Sequence, residues 1–226
     1  MRWILALALA LAAGIGSLYG LTDGFAALTA EDARRQDVAR HPRAIPAIAA
    51  LAEDGRVLDL GQDLRRDGRV AIVNFFYTRC LSLCLAQGSL TERLQQAIEA
   101  RGLQDRIRLI SISFDVRDRA PDLARYAARM GAEPGVWQFL SFTQTAQRDA
   151  ALALFGITVV PAPLGEFEHN AAFHVVTPDG RLARILDLDD PGLALDEAGR
   201  RAVPADWPAP DESEPPAGGD VGRALP

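Results

Sequence analysis

Apolar and polar residues alternate along this chain with a period that changes from segment to segment. The stretch R-V-A-I-V-N-F-F-Y has a continuous apolar run from Val70 to Tyr77. A run of that length predicts a central strand buried on both faces. Residues 106 to 114, R-I-R-L-I-S-I-S-F, predict a second such strand, and Trp137 to Leu140 a short third one. Between them the period lengthens to that of a helix. Leu90, Leu94, Ala97 and Ile98 share one stripe over Ser89–Ala100, with Gly102 as the stop. Pro121 opens a helix through Leu123, Tyr126, Ala127 and Met130 that ends at Gly131, and Gln144–Phe155 makes a third. Two hairpins flank this series. One turns at Glu53-Asp54-Gly55; the other joins 172–177 to 181–186 through Pro178-Asp179-Gly180. Asp67-Gly68 is a further turn. Alternating strand and helix predict an α/β domain, parallel in its first part and closed by an antiparallel pair.

The ends read differently. Trp3 to Leu21 is uncharged and mostly apolar, with Arg2 before it. As a helix it rises about 28 Å, near the roughly 30 Å of a bilayer core. Residues 1–24 are therefore expected to be a transmembrane anchor, or else a signal segment cleaved after Ala26 or Ala30. Either form exports the rest of the chain, and Arg2 places the amino terminus in the cytoplasm. Residues 25–44 read as a linker that contains a solvated His41. Residues 204–226, rich in proline and glycine, are expected to be a disordered tail. A hydrophobic content of 49% supplies a core, and a net charge of −6 lacks the basic footprint of a nucleic-acid binder. All 24 basic residues are arginine.

The chain has two cysteines, Cys80 and Cys84, four residues apart just after the first apolar strand. In layered α/β folds ligands gather at the carboxyl ends of strands, which is where this loop lies. The pair can be a disulfide, a redox couple, a metal site or two buried thiols. A structural disulfide closing so short a loop would add little stability. A helix N-terminus stabilises thiolates, and outside the cytoplasm reactive thiols form disulfides or bind soft metals. Two thiolates and one imidazole suit Cu(I). Three histidines are available. His174 lies in the first strand of the last hairpin between Phe173 and Val175 and reads as a half-buried strand residue; His169 precedes that strand.

Several stretches together resemble the Sco/SenC family, the thioredoxin-like copper proteins linked to cytochrome oxidase assembly. V-N-F-F-Y-T-R-C-L-S-L-C resembles the family's strand followed by C-x-x-x-C. S-I-S-F-D-V-R-D-R-A-P resembles its S-x-D-P-x-x-D-T-P segment, with Asp115, Asp118 and Pro121 in place. The family carries a histidine nine residues before the proline of a Pro-Asp-Gly turn, and counting back from Pro178 lands on His169.

The resemblance implies a thioredoxin-like domain over 45–203, with a central mixed sheet flanked by helices. It implies one copper ion per chain on Cys80, Cys84 and His169, with Asp115 near the site but outside the ligand set. It further implies a protein of the bacterial inner membrane that faces the periplasm, or a soluble periplasmic protein if the leader is cleaved. Expected partners are a copper-receiving oxidase subunit or other cuproprotein, and thiol–disulfide exchange partners. The chain departs from the family at Leu81 and Leu85, where proline is frequent, and at Glu168, where aspartate commonly precedes the histidine. Those departures leave a second function open: a metal-independent thiol–disulfide oxidoreductase or redox sensor built on Cys80 and Cys84.

Overall fold

The computed structural model describes residues 2–21, 29–80 and 83–202. It begins with α1 (Arg2–Leu21), α2 (Ala30–Arg40), β1 (Arg43–Ala44), β2 (Ala49–Ala52), β3 (Val57–Asp59) and α3 (Leu60–Asp67). The centre is β4 (Val70–Phe76), α4 (Leu83–Ala100), β5 (Ile107–Ser113), α5 (Ala120–Arg129), β6 (Trp137–Ser141) and α6 (Thr145–Phe155). Then follow β7 (Val159–Pro161), β8 (Phe167–His169), β9 (Ala172–Val176), β10 (Arg181–Asp187) and α7 (Pro191–Ala202).

Eight strands form one mixed sheet in the order β1-β10-β9-β4-β5-β6-β2-β3. The predicted run at Val70 is the middle of it: β4 pairs in parallel with β5 from Val70↔Ile107 to Phe76↔Ser113, and β5 pairs in parallel with β6. All seven residues of β4 and all seven of β5 are buried, which explains why neither alternates in polarity. The closing hairpin β9–β10 is antiparallel and joins β4 through β9, as the turn at Pro178 predicts. Neighbouring side chains of β4 point to opposite faces. Phe75 meets Phe155 and His174 on one side, with ring centroids 5.1 and 5.9 Å away. Phe76 meets Tyr126 and Phe139 on the other, at 4.6 and 5.6 Å. Fully burying such a ring contributes about 1.5–3 kcal/mol.

Segment 25–44 differs from its expected form as a linker. Thr29 caps α2 in a capping box with Asp32, and Val38 is fully buried. Arg34 donates to the Phe155 carbonyl at 3.0 Å, and Arg35 pairs with Asp187 at 2.6 Å. Helix α2 has almost no apolar face of its own. Partners over a hundred residues away tie it down, which local periodicity does not reveal. Gly156 makes room for this contact. It caps α6 at φ 70°, and a Cβ there would collide with the Arg34 guanidinium.

Helices α3 and α7 also lie outside the predicted elements. The expected membrane span coincides with α1, but among the described residues no helix is long and apolar enough to cross a membrane. The expected tail at 204–226 lies outside the described residues.

Candidate functional site

The parallel strands β4 and β5 end side by side, and the chain leaving each one builds half of the site. After β4 come Tyr77, Thr78, Arg79 and Cys80; after β5 come Phe114, Asp115 and Asp118. The second group holds the first. Asp118 is 3% exposed and accepts from the Thr78 amide at 2.9 Å, the Thr78 hydroxyl at 2.7 Å and Ser113 Oγ at 2.5 Å. Asp115, equally buried, accepts from Arg117 Nε at 2.9 Å and pairs with Arg79, the residue before Cys80. Burial alone would raise the Asp115 carboxyl; hydrogen bonds and charge from Arg117, with the charge of Arg79, outweigh it and hold the group below its ordinary value. Asp118 therefore fixes the backbone that delivers Cys80, and Asp115 holds the side chain of the residue before it. Asp115 thus reaches the residue next to Cys80 through its pair with Arg79. The clamp by Asp118 is not legible in the sequence, although its aspartate stands in the quoted motif.

Cys80 is 4% exposed, and its amide donates to the Tyr77 carbonyl at 3.4 Å. Cys84 lies in the first turn of α4, which starts at Leu83, earlier than the apolar stripe predicts. The two cysteines thus straddle a loop–helix junction. The side chain of Cys84 lies outside the described residues, as do Leu81 and the side chain of Leu85. Among the described residues no group of three His, Cys, Asp or Glu side chains forms a metal cluster.

His169 arrives from a separate element. Strands β7 and β8 form a two-stranded antiparallel ribbon outside the main sheet, with His169 opposite Val159. Asn170 fastens the base of this ribbon: its Oδ1 accepts from the Thr158 amide at 2.7 Å, and its Nδ2 donates to the Gly156 carbonyl at 2.9 Å. Aromatic rings seat the rest. Phe167 stands edge-on to Tyr77 and Phe114, with centroids 5.2 and 5.6 Å apart, and the Arg117 guanidinium lies 5.7 Å from its centroid. The His169 ring is 4.9 Å from Phe114 and 6.4 Å from Tyr77.

Tyr77 joins the two halves. Three residues before Cys80, its hydroxyl hydrogen-bonds to Glu166 and accepts from the Phe167 amide at 3.3 Å. Burial first, and the Glu166 carboxylate next, push the phenol well above its ordinary pKa, so it stays protonated. Sequence reasoning marks neither Tyr77 nor Glu166. They lie 89 residues apart, and no local pattern links them.

The His169 ring can donate electrons. Nδ1 lies 2.9 Å from the Asn170 carbonyl oxygen, which can only accept, so Nδ1 carries the proton. Burial lowers the ring's pKa against the opposing pull of that carbonyl, which favours the neutral form with its lone pair on Nε2. A backbone acceptor on one ring nitrogen is the usual support for a metal-binding histidine. The other two histidines do not share this setting. His174 is fully buried on β9, with Nδ1 3.2 Å from the Val73 carbonyl and Nε2 3.0 Å from the Phe155 carbonyl. It is more deeply buried than its sequence context predicts, because β9 lies inside the sheet. His41 is exposed, with Nδ1 3.2 Å from Asp37.

A family model described as SCO1/SenC matches residues 59–200. The SCO1 protein homolog of Bacillus subtilis (strain 168) is 29% identical over 136 residues, which cover 58% of this chain and 67% of that protein. BsSco, whose structure is described as showing a disulfide switch in a member of the Sco family of cytochrome c oxidase assembly proteins, superposes with a TM-score of 0.61. It is 22% identical and covers 72% of this chain and 95% of its own. Bradyrhizobium japonicum ScoI, solved with copper bound, gives a TM-score of 0.58 at 21% identity, covering 70% of this chain and 99% of its own. These likenesses establish the α/β, thioredoxin-like Sco architecture. With the family model spanning well over half of its length, the chain belongs to the SCO1/SenC family.

Proposed function

We propose that this protein is a membrane-tethered copper carrier that serves the assembly of a respiratory oxidase, with Cys80, Cys84 and His169 as its ligands. One observation carries the reading: an imidazole proton-tied at Nδ1 to Asn170 stands edge-on to Tyr77, three residues before Cys80 on the loop that leaves β4. Two thiolates and an imidazole form a soft donor set that selects Cu(I) over harder ions. The copper in ScoI and the oxidase-assembly role stated for the family of BsSco support the same reading. Copper is cargo here. The reduced thiols lose their protons on binding, and a partner's ligands then displace the three donors one by one. The apolar stretch Trp3–Leu21 behind Arg2 would hold the carrier at the inner membrane, with its site on the periplasmic side.

Titration of Cu(I) into the reduced full chain, against a competing chelator, tests this proposal. One tight copper per chain is expected. Cys80→Ser and Cys84→Ser should abolish it, and His169→Ala should weaken it. Wild type that fails to compete would end the copper reading.

The C-x-x-x-C spacing and the disulfide switch described for BsSco support a second reading, that of a dithiol reductase. One thiolate attacks a partner disulfide, the other resolves the mixed disulfide, and two electrons pass to the partner. That reaction has no need of His169. A partner-reduction assay unaffected by His169→Ala would favour it.

A further inference from the structure

His169 stands on a ribbon that shares no strand ladder with the main sheet, so something else must bring it to the cysteine loop. The base of the ribbon is fastened through Asn170 to the end of α6. The start of β8, the strand that carries His169, touches Tyr77 on the loop that leads to Cys80. One phenol oxygen meets two groups: the Glu166 carboxylate and the Phe167 amide at 3.3 Å. Phe167 opens β8 and Glu166 immediately precedes it, and Tyr77 lies at the strand end that delivers Cys80. The Ala162 amide closes the ribbon on the Glu166 carbonyl at 2.9 Å, so a pull on Glu166 moves both strands.

We propose that the Tyr77–Glu166 hydrogen bond is a latch that docks the β7–β8 ribbon on the cysteine loop and so sets the position of His169. Tyr77 and Glu166 are positioning residues that act through His169. As a statement about copper the latch rests on the reading above; as a statement about the ribbon it can be tested without metal. A buried hydroxyl paired with a carboxylate is directional, whereas the rings of Phe114 and Phe167 supply area with little orientation of their own. Losing the hydroxyl leaves the packing and removes the registration.

The test has two arms on the full chain. In the metal-free arm, amide hydrogen exchange is followed in wild type, Tyr77→Phe, Glu166→Ala and Glu166→Gln. Tyr77→Phe keeps the ring, and Glu166→Gln keeps an oxygen that accepts from the phenol. Exchange at Ala162 and Phe167 should quicken about tenfold in Tyr77→Phe and Glu166→Ala. Glu166→Gln should stay near wild type, and Val73 in β4 should keep its protection in all four. Unchanged exchange at Ala162 and Phe167 in Tyr77→Phe overturns the latch.

In the second arm Cu(I) affinity is measured. Tyr77→Phe and Glu166→Ala should lose about ten- to a hundredfold, the usual cost of removing a group that orients a ligand. In a His169→Ala background Tyr77→Phe should cost nothing further. An equal loss in that background would mean that Tyr77 acts on the thiols or the fold, which also overturns the latch. If the ribbon loosens as expected and wild type binds no copper, the latch stands and the copper reading falls.

Discussion

His174 and His169 stand five residues apart in sequence and in opposite circumstances. Both rings are pushed towards the neutral form by burial, and both touch backbone carbonyls. His174 lies in the main sheet, closed between β4 and the end of α6, with a carbonyl at each ring nitrogen. His169 lies on the small ribbon, with a carbonyl at Nδ1. The first ring is a bolt between two elements. The second is half-buried and has its ring proton held at Nδ1 by the Asn170 carbonyl. Ladder membership decides the difference: a strand paired on both sides encloses its side chains, whereas a strand of a small two-stranded ribbon leaves them partly covered.

Removing the bolt should have the largest effect. His174→Ala leaves a cavity beside Phe75 and Phe155 and takes away the donor that lies between two carbonyls. A loss of about 4 kcal/mol is expected in denaturant unfolding, with copper stoichiometry unchanged in the fraction that stays folded. A loss below about 1 kcal/mol would refute the structural role.

Next in size is a pH dependence of the same residue. Burial depresses His174 from 6.5 to about 4, against two carbonyls that pull the other way. Between those values the unfolded ring binds a proton that the folded ring refuses. Stability should thus be constant above pH 6.5 on this residue's account, and fall by about 3 kcal/mol as pH drops to about 4. His169 shifts in the same direction and adds to the slope. Urea midpoints across this window check the sign, and His174→Gln should remove most of the slope.

A third prediction concerns the cysteine loop on which the ribbon docks. Asp118→Asn keeps the shape but turns a triple acceptor of charge-assisted bonds into a neutral amide. About 2 kcal/mol should be lost, together with copper affinity, because Thr78 no longer fixes the approach to Cys80. If the Asp118→Asn variant binds copper as tightly as wild type, the clamp serves the fold alone.

The smallest effect sharpens the comparison from the other side. His169→Ala should change folding stability by less than about 1 kcal/mol, since the ring is only half-buried. Its effect belongs to ligand binding. A stability loss approaching that of His174→Ala would make the two histidines alike and remove the reason to single out His169.

Much of the frame is legible in the sequence. The runs at Val70–Tyr77 and 106–114 carry no polar alternation because both faces of β4 and β5 are covered, and a continuous apolar pattern can report that. The turns at Gly55, Gly68 and Gly180 all have positive φ, a local demand that glycine announces. The apolar stripe starts the helix containing Cys84 too late, because the first turn lies ahead of the stripe by which a helix is recognised. Helix α2 reads as linker because polar residues hold it, through Arg34 and Arg35, to groups at Phe155 and Asp187. The ribbon β7–β8 leaves no signal at all. Three-residue strands interrupted by Pro161 and Pro163 do not build a period.

By itself the sequence determined the α/β alternation, the strand-end placement of Cys80 and the C-x-x-x-C spacing, while the choice of His169 rests on the resemblance to the Sco/SenC family. Those features depend on neighbours within a few residues, where backbone sterics and side-chain periodicity act. Only the tertiary structure decided that Asp118 clamps Thr78, that Glu166 reaches Tyr77 across 89 residues, and that His174 is closed between two carbonyls. Such contacts form when sheet pairing brings distant segments together. Their strength comes from burial and geometry that no single segment carries.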